Sequence, residues 1–220
     1  MTSLAPRLYV DSADVDRVSR LLAAGVVHGV TTNPTILERG GRTAAEIPDL
    51  YARWESEGAR EIFLQTWGRD TASFLRNAEV IRALGDRVVV KVPATADGFA
   101  AASALVRDGA TVLVTAVYSI AQALACASIG AHYIAPYLGR MRDAGIDGDA
   151  VIARMQEVCA GSGSNVLAAS LRSADDITGL RLAGVPYFTA APDVIDQVLF
   201  HEVSDSSAAE FDATMVRLGA

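Results

Sequence analysis

Short apolar runs alternate with helix-period stretches along almost the whole chain, and this rhythm predicts eight β-then-α units. Strands are expected at residues 8–11, 27–31, 62–66, 88–92, 111–117, 133–137, 165–170 and 187–190. Several are apolar nearly throughout, as in Val88-Val89-Val90 and Val112-Leu113-Val114. Strands of that kind belong to parallel sheets covered on both faces, because a sheet with one wet face shows strict alternation instead. Between them, Asp14 is placed to cap a helix whose apolar face is Val15, Val18, Leu21 and Leu22, with Gly25 at its exit. Asp97 is expected to open a second helix ending at Gly109, and Ser119 a third ending at Gly130. Asp175 and Asp176 lead into a fourth that stops at Gly184. After the last strand, residues 194–199 and a polar-rich segment beginning between 205 and 208 and reaching 218 read as terminal helices.

Eight such units in 220 residues predict an α/β fold of the (β/α)8 TIM-barrel type, read as one domain over residues 1–220 with an extra C-terminal helix. The competing architecture is an open doubly wound sheet, and the count of eight strands favours closure. No linker-like Pro/Ser stretch and no low-complexity tract divides the chain.

Composition narrows the function classes. Hydrophobic residues make up 51% and charged residues 20%, a globular balance with ample core material. The net charge of -7 opposes nucleic-acid binding on global electrostatics, although a local cluster of arginines still suits a small phosphorylated ligand. Cys126 and Cys159 stand far apart in helix-like stretches, the histidines His28, His132 and His201 are scattered, and no metal-ligand spacing appears, so no metal or other cofactor is expected. Neither a secretory leader nor an apolar run of membrane-spanning length is visible, which makes the cytoplasm the expected compartment and a membrane an unexpected partner. The glycine-rich stretch Gly161-Ser162-Gly163-Ser164-Asn165 precedes a strand and fits no phosphate-loop pattern, so it reads as a connector.

Active sites of barrels form at the C-terminal ends of the strands. The polar residues expected there are Asp11, Thr31-Thr32-Asn33, Gln65-Thr66, Lys91, Thr115, Tyr137 with Arg140, and Ser170 with Arg172. The opposite rim offers no comparable set in the sequence. Lys91 is the sharpest signal, because desolvation in Val88-Val89-Val90-Lys91-Val92 disfavours the ammonium and frees a nucleophilic amine. Its bland alternative is a strand-end lysine that snorkels to water. Asp11 is either a proton-relaying partner of Lys91 or a helix cap. Asn33-Pro34 is a turn signal first and a hydroxyl ligand second. Gln65 and Tyr137 are either site residues or core-edge groups that satisfy each other. Arg140 and Arg172 are surface ion-pair residues if taken singly and phosphate ligands if taken together. Trp67 is a candidate for the mouth of a pocket.

Read in order, several segments resemble the transaldolase family, in the small-subunit branch that includes fructose-6-phosphate aldolase. They are Leu8-Tyr9-Val10-Asp11-Ser12-Ala13, Gly29-Val30-Thr31-Thr32-Asn33-Pro34-Thr35, Val90-Lys91-Val92-Pro93-Ala94-Thr95 with Asp97-Gly98, Thr115-Ala116-Val117-Tyr118, Gly130 to Tyr137, and Ala168-Ala169-Ser170. The resemblance implies a metal-free class I aldolase or transaldolase in which Lys91 forms a Schiff base with the C2 ketone of a ketose phosphate and holds a dihydroxyacetone unit. It further implies that Asp11 transfers protons and that Asn33 binds hydroxyls. Thr115 and Gln65 would position a water, while Arg140, Ser170 and Arg172 receive phosphate. Thr31 is included with the substrate-binding set. The sugar phosphates, a ketose donor and an aldehyde acceptor, are the partners so implied, together with a homo-oligomer, as decamers built from pentamers occur in this branch.

Transaldolases of the family typically carry Glu at the position of Gln65 and Phe at that of Tyr137, so this chain has the aldolase-like pair, whereas Arg172 is the transaldolase-like choice. The expected activity is therefore fructose-6-phosphate-aldolase-like, with a dihydroxyacetone-transferring transaldolase of pentose phosphate or specialised sugar metabolism as the second reading. Rivals of other classes are a non-catalytic sugar-phosphate-binding barrel and a doubly wound regulatory domain using Asp11 as a pocket acid.

Overall fold

The computed structural model describes residues 4–219, so residues 1–3 of the amino-terminal stretch and residue 220 fall outside the description. Its centre is a closed barrel of eight parallel strands in sequence order. They are β1 (Arg7–Asp11), β2 (Gly29–Thr31), β3 (Glu61–Gln65), β4 (Val88–Pro93), β5 (Val112–Val117), β6 (Tyr133–Pro136), β7 (Asn165–Leu171) and β8 (Tyr187–Ala190). Closure comes from β1 against β8, with Arg7 beside Tyr187 and Val10 beside Ala190. All eight strands lie where the apolar runs place them, and the open-sheet alternative is excluded by the ring.

Each strand is followed by one or more helices: α1 (Val15–Ala23), α2 (Pro34–Arg39), α3 (Ile47–Ser56), α4 (Thr71–Arg82), α5 (Ala96–Arg107), α6 (Ile120–Ser128), α7 (Leu138–Asp143), α8 (Gly148–Cys159), α9 (Ala174–Leu182), α10 (Pro192–Leu199) and α11 (Glu202–Leu218). Two connections differ from the simple rhythm. After β2 and after β6 a short helix, α2 or α7, comes before the long one that covers the barrel wall. Being four strands apart in a ring of eight, these two face each other across the C-terminal mouth.

Local chemistry explains the helix starts. Asp14 caps α1 by accepting from the Arg17 amide, and Ser119 caps α6 by accepting from that of Gln122. Two expected caps move. Thr95, not Asp97, caps α5, and Ser173 caps α9 ahead of Asp175 and Asp176. Hydroxyls at those places accept from the third helical amide, while acids in the first turn favour the positive end of the dipole, and Asp176 completes a capping box by accepting from the Ser173 amide. The displaced Asp97 carboxylate instead accepts from Thr71 at the start of α4. The glycines expected to end helices, Gly25, Gly109, Gly130 and Gly184, all hold positive φ. The final helix begins at Glu202, earlier than its apolar pattern suggests, with His201 as its cap. It leaves Val203, Phe211, Met215 and Val216 exposed.

Period-two alternation sorts the strand residues into two cores. Outward residues such as Val10, Val30, Val90, Val112 and Ile134 meet the helices. Inward residues Tyr9, Phe63, Val89, Leu113, Tyr133, Leu167 and Tyr187 fill the barrel itself. The rings of Tyr9, Phe63 and Tyr133 meet edge to face, with centroids 5.3 Å apart in each successive pair. The barrel is thus plugged by aromatic rings, and an inward residue toward a strand's C-terminal end stands on that plug facing the mouth. Cys126 and Cys159 are buried, unpaired helix residues, as expected. Burial pushes the Cys126 thiol up to about 12. Gly161–Asn165 connects α8 to β7 without regular structure until the strand starts. Among the described residues no helix is long and apolar enough to cross a membrane.

Candidate active site

Above the aromatic plug lies a cavity of about 330 Å³. Its lining includes Asp11, Thr31, Asn33, Lys91, Tyr137, Arg140, Ser170 and Arg172, eight of the ten residues named from the sequence. They come from β1, β2, β4, β6 and β7 or the turns that follow, so residues up to 161 positions apart converge because each ends a strand of the same ring.

Lys91 is inward-facing on β4 and only 4% exposed, so it does not snorkel to water. Its Nζ donates to the Thr32 carbonyl oxygen at 2.7 Å. Burial lowers the Lys91 pKa, and the Asp11 charge offsets only part of that shift. A buried ammonium needs three acceptors, so a site offering one carbonyl favours the neutral amine. Lys91 is moreover the only lysine in the chain, since every other basic residue among the 19 is arginine. That count was available from the sequence and sharpens the case for a function that arginine cannot perform.

Asp11 is not a helix cap, because Asp14 takes that role. Its Oδ1 accepts from the Thr31 hydroxyl, which also lies 2.6 Å from the Thr189 hydroxyl. Burial raises the Asp11 pKa, against the opposing effects of Lys91 and the Thr31 hydrogen bond. Desolvation therefore pushes each group toward its neutral form, while the charge of each on the other opposes that shift. Thr189 on β8, which sequence reading passed over, supplies a polar residue at the one strand end that lacked one. Its signal was the alternation Tyr187, Thr189, which aims both side chains inward.

Asn33 makes the turn expected of Asn33-Pro34 and also lines the cavity. Its Oδ1 accepts from the Ile36 amide and so caps α2, with Pro34 at the first helical position. Because the cap uses only the oxygen, the Nδ2 amide is left for the cavity that Asn33 lines. Tyr137 pairs through its hydroxyl with Thr115 at 2.7 Å, so Tyr137 and Gln65 do not satisfy each other. Burial holds the Tyr137 phenol above its usual pKa. Thr115 is buried and, unlike Tyr137, is not part of the cavity lining. Gln65 is in register with Lys91 but borders a neighbouring, more apolar pocket, where Trp67 also lies.

The proposed phosphate end depends on distorted backbone. Ser170 sits at φ +57° where the register of β7 against β8 slips between Ala168 and Leu171. A bulge of this kind re-aims a side chain at a strand end, and a left-handed serine costs about 1–3 kcal/mol that the surrounding fold must sustain. Gly139 in α7 permits this arrangement, since a Cβ there would lie 2.7 Å from the Ser170 carbonyl oxygen and 2.7 Å from Arg172 Nε. Arg140 stacks over the Tyr137 ring at 5.2 Å. Arg172, by contrast, is held by both carboxylate oxygens of Asp143, at 2.9 and 2.5 Å. The surface ion-pair alternative thus applies to Arg172, although the pair still lies on the cavity wall, and the Asp143 carboxylate is a competitor for any anion that reaches it.

The far end of the barrel was expected to be poor in polar groups, and it is not. Glu61 accepts from the hydroxyls of Tyr9 and Tyr133 and lies 3.6 Å from Arg7 and 3.4 Å from His28. Sequence reading missed this cluster because its tyrosines and glutamate begin or sit within apolar strands and meet only when the ring closes.

With this geometry in place, comparison with known proteins is informative. A sequence model of the transaldolase/fructose-6-phosphate aldolase family matches residues 8–219. A protein of Hyphomonas neptunium named probable transaldolase is 33% identical over 216 residues, spanning 97% of this chain and 98% of the relative. One of Paracoccus denitrificans with the same name is also 33% identical over 216 residues, with the same shares. Among solved structures, a thiamine phosphate pyrophosphorylase from Pyrococcus furiosus superposes with a TM-score of 0.60 at 16% identity, over 84% of this chain and 85% of that one, a likeness of fold alone. The family match over nearly the whole length, together with relatives of this identity and coverage, means that the chain belongs to the transaldolase/fructose-6-phosphate aldolase family.

Proposed function

We propose that the protein is a Schiff-base-forming aldolase/transaldolase that makes and breaks the C3–C4 bond of ketose phosphates, with Lys91 as the residue that carries the dihydroxyacetone unit. The observation that carries this proposal is a lone lysine, buried at the base of a polar cavity, whose pKa burial lowers beside a carboxyl group whose pKa burial raises.

The free amine of Lys91 adds to the C2 carbonyl of the ketose. Asp11 delivers the proton with which the C2 hydroxyl leaves as water, and a protonated imine remains. That imine withdraws the electron pair of the C3–C4 bond as the bond breaks. Asp11, now a carboxylate, takes the C4 hydroxyl proton, and the phosphorylated aldehyde departs. The enamine left on Lys91 then has two fates. Protonated at C3, it is hydrolysed to free dihydroxyacetone. Attacking a second aldehyde, it completes a transfer.

Tyr137 is the proposed acid for the first fate, supported by a hydroxyl inside the cavity that Thr115 holds in place. Thr115 and Gln65, on the strands flanking that of Lys91, are the proposed holders of the hydrolytic water. Thr31 orients Asp11, the Asn33 amide takes hydroxyls of the bound unit, and Arg140, Ser170 and Arg172 are the proposed phosphate ligands. Arg172 serves only if phosphate displaces Asp143. Transfer rather than hydrolysis is the second reading, favoured by the relatives that bear the name probable transaldolase.

Fructose 6-phosphate plus borohydride is expected to fix a dihydroxyacetone-sized adduct on Lys91, located by peptide mass spectrometry. The assignment is clean because no other lysine competes. Absence of the adduct under turnover conditions removes the proposal and leaves a non-catalytic sugar-phosphate binder. Glyceraldehyde 3-phosphate and free dihydroxyacetone from fructose 6-phosphate alone assign the aldolase; product formation only with an added aldehyde assigns the transaldolase.

A further inference from the structure

Two buried threonines reach Asp11 from the strands on either side of it. Thr31 on β2 is in register with Asp11, and Thr189 on β8 is in register with Tyr9, two residues earlier on β1. Followed from strand to strand, the register puts the inward residues Thr31, Lys91, Ala135 and Thr189 of the four even strands in one interior layer. Layers of such barrels are filled mostly by bulky branched apolar side chains. This one instead sets two hydroxyls and an alanine around the lysine, and all four residues line the cavity. Valine would fill the place of Thr189 equally well. What packing leaves unexplained is its hydroxyl, whose partner is Thr31 at 2.6 Å.

Proton counting gives this contact a direction. A carboxylate only accepts, and a threonine hydroxyl has one proton to give. The Thr31 proton goes to Asp11 Oδ1. The contact between the two hydroxyls is therefore made with the Thr189 proton. Donation runs from Thr189 to Thr31 to Asp11, and each bond in such a chain polarises the next. Oδ1 of Asp11 is thereby occupied. Among the described residues Oδ2 has no hydrogen-bond partner, and it is left for the cavity that Asp11 lines.

We propose that Thr189 is a positioning residue for proton transfer: by donating to Thr31 it commits the Thr31 proton to Asp11 Oδ1 and leaves Oδ2 as the oxygen that gives and takes the proton. This rests on the role of Asp11 in the function proposed above. Oδ2 gives its proton to the C2 hydroxyl, which leaves as water. The same oxygen then takes the C4 hydroxyl proton as the C3–C4 bond breaks, so the two threonines give up no proton of their own. Without the Thr189 hydroxyl, Thr31 is held from one side only, and the Asp11 proton is divided between both oxygens.

The test is a double-substitution cycle on the rate of glyceraldehyde 3-phosphate release from fructose 6-phosphate, with erythrose 4-phosphate present as acceptor so that both fates of the enamine are open. Thr189→Val keeps the side-chain shape and removes the hydroxyl. It should lower kcat about fivefold, the scale of one neutral hydrogen bond, while KM stays within about twofold. Thr189→Ser should restore kcat to within about twofold of the unsubstituted protein, because the donor returns. In an Asp11→Asn background, Thr189→Val should change kcat by no more than about 1.5-fold, since no carboxyl proton remains to be directed. An unchanged kcat in Thr189→Val overturns the proposal. So does a loss that Thr189→Ser fails to restore, an equal loss in both backgrounds, or a rise in KM with kcat intact, which would make Thr189 a substrate ligand instead. Borohydride trapping on the unsubstituted protein reads the Schiff-base function separately. An adduct together with unchanged kcat in Thr189→Val removes this inference alone, and no adduct removes the function on which it rests.

Discussion

The two ends of the barrel interior are built from similar residue types and treat them in opposite ways. At the N-terminal end the Glu61 carboxylate takes hydroxyls from Tyr9 and Tyr133 and has Arg7 and His28 beside it. Burial and the neighbouring carboxylate push both phenols well above their usual pKa, so they remain donors. His28 is pushed down, chiefly by burial and then by Arg7. Every group there has a partner, as buried polar groups in a stable structure require. At the C-terminal end, among the described residues, Lys91 has one carbonyl acceptor and Arg39 and Arg140 lack carboxylates, while Ser170 is held at a left-handed φ. One end spends polar groups on cohesion. The other leaves them under-satisfied, as the proposed binding of a substrate there requires.

Substitutions at the two ends should therefore separate activity from stability. The largest effect is expected for Lys91→Ala, which should lower the rate of C3–C4 cleavage by about 10⁴-fold or more, the scale for removing a covalent nucleophile. Thermal stability should not fall, because a buried amine with a single hydrogen-bond acceptor leaves with the side chain. A large drop in melting temperature alongside the activity loss would make Lys91 a structural residue and erase the contrast.

Tyr137→Phe comes next. It should reduce release of free dihydroxyacetone by about 10²-fold, the lower range for a general acid. Transfer to an added aldehyde should persist, as judged by product ratios from one ketose with and without acceptor. Equal loss of both products would remove Tyr137 from the protonation step.

Glu61→Gln probes the opposite end. Only one carbonyl oxygen remains to serve two buried phenols, so the folded state should lose about 2–3 kcal/mol in denaturant titration. Activity per folded molecule should hold. A variant with normal stability would mean that the tyrosine–glutamate cluster contributes no net cohesion.

The smallest expected effect is a shift in pH dependence. Amine nucleophilicity needs neutral Lys91, so kcat/KM should rise with pH through the lowered lysine pKa. The negative charge of Asp11 supports the protonated amine and thus raises that pKa. Asp11→Asn removes this support, so the acid limb of the profile should move to lower pH even as the maximum rate falls. An acid limb that stays in place, or moves up, would uncouple the two residues.

Much of this was legible in the chain. The eight strand positions follow from apolar runs that only a doubly covered parallel sheet explains, and Lys91 stands out because a charged residue in such a run is costly. Asp11 was ambiguous because caps and site acids share the same residue type. Only the observed Asp14 cap removed the ambiguity. The Asp97 cap was misassigned because Thr95 two residues earlier also offers a side-chain acceptor, and Asp97 is engaged by Thr71 of the neighbouring helix start. Arg172 was read as an anion ligand from its position, and its engagement by Asp143 depends on α7 packing against β7.

By itself, then, the sequence determined the strand order, the parallel barrel and the rim on which polar residues gather, because hydrophobic periodicity and capping act over a few residues. Only the tertiary structure decided which of those polar groups are satisfied. It brought Glu61 to two tyrosines, Asp143 to Arg172 and Thr115 to Tyr137, and it left Lys91 buried with one acceptor. The physical reason is that hydrogen bonds and desolvation are set by neighbours in space, and in a closed ring those neighbours come from strands distant in sequence.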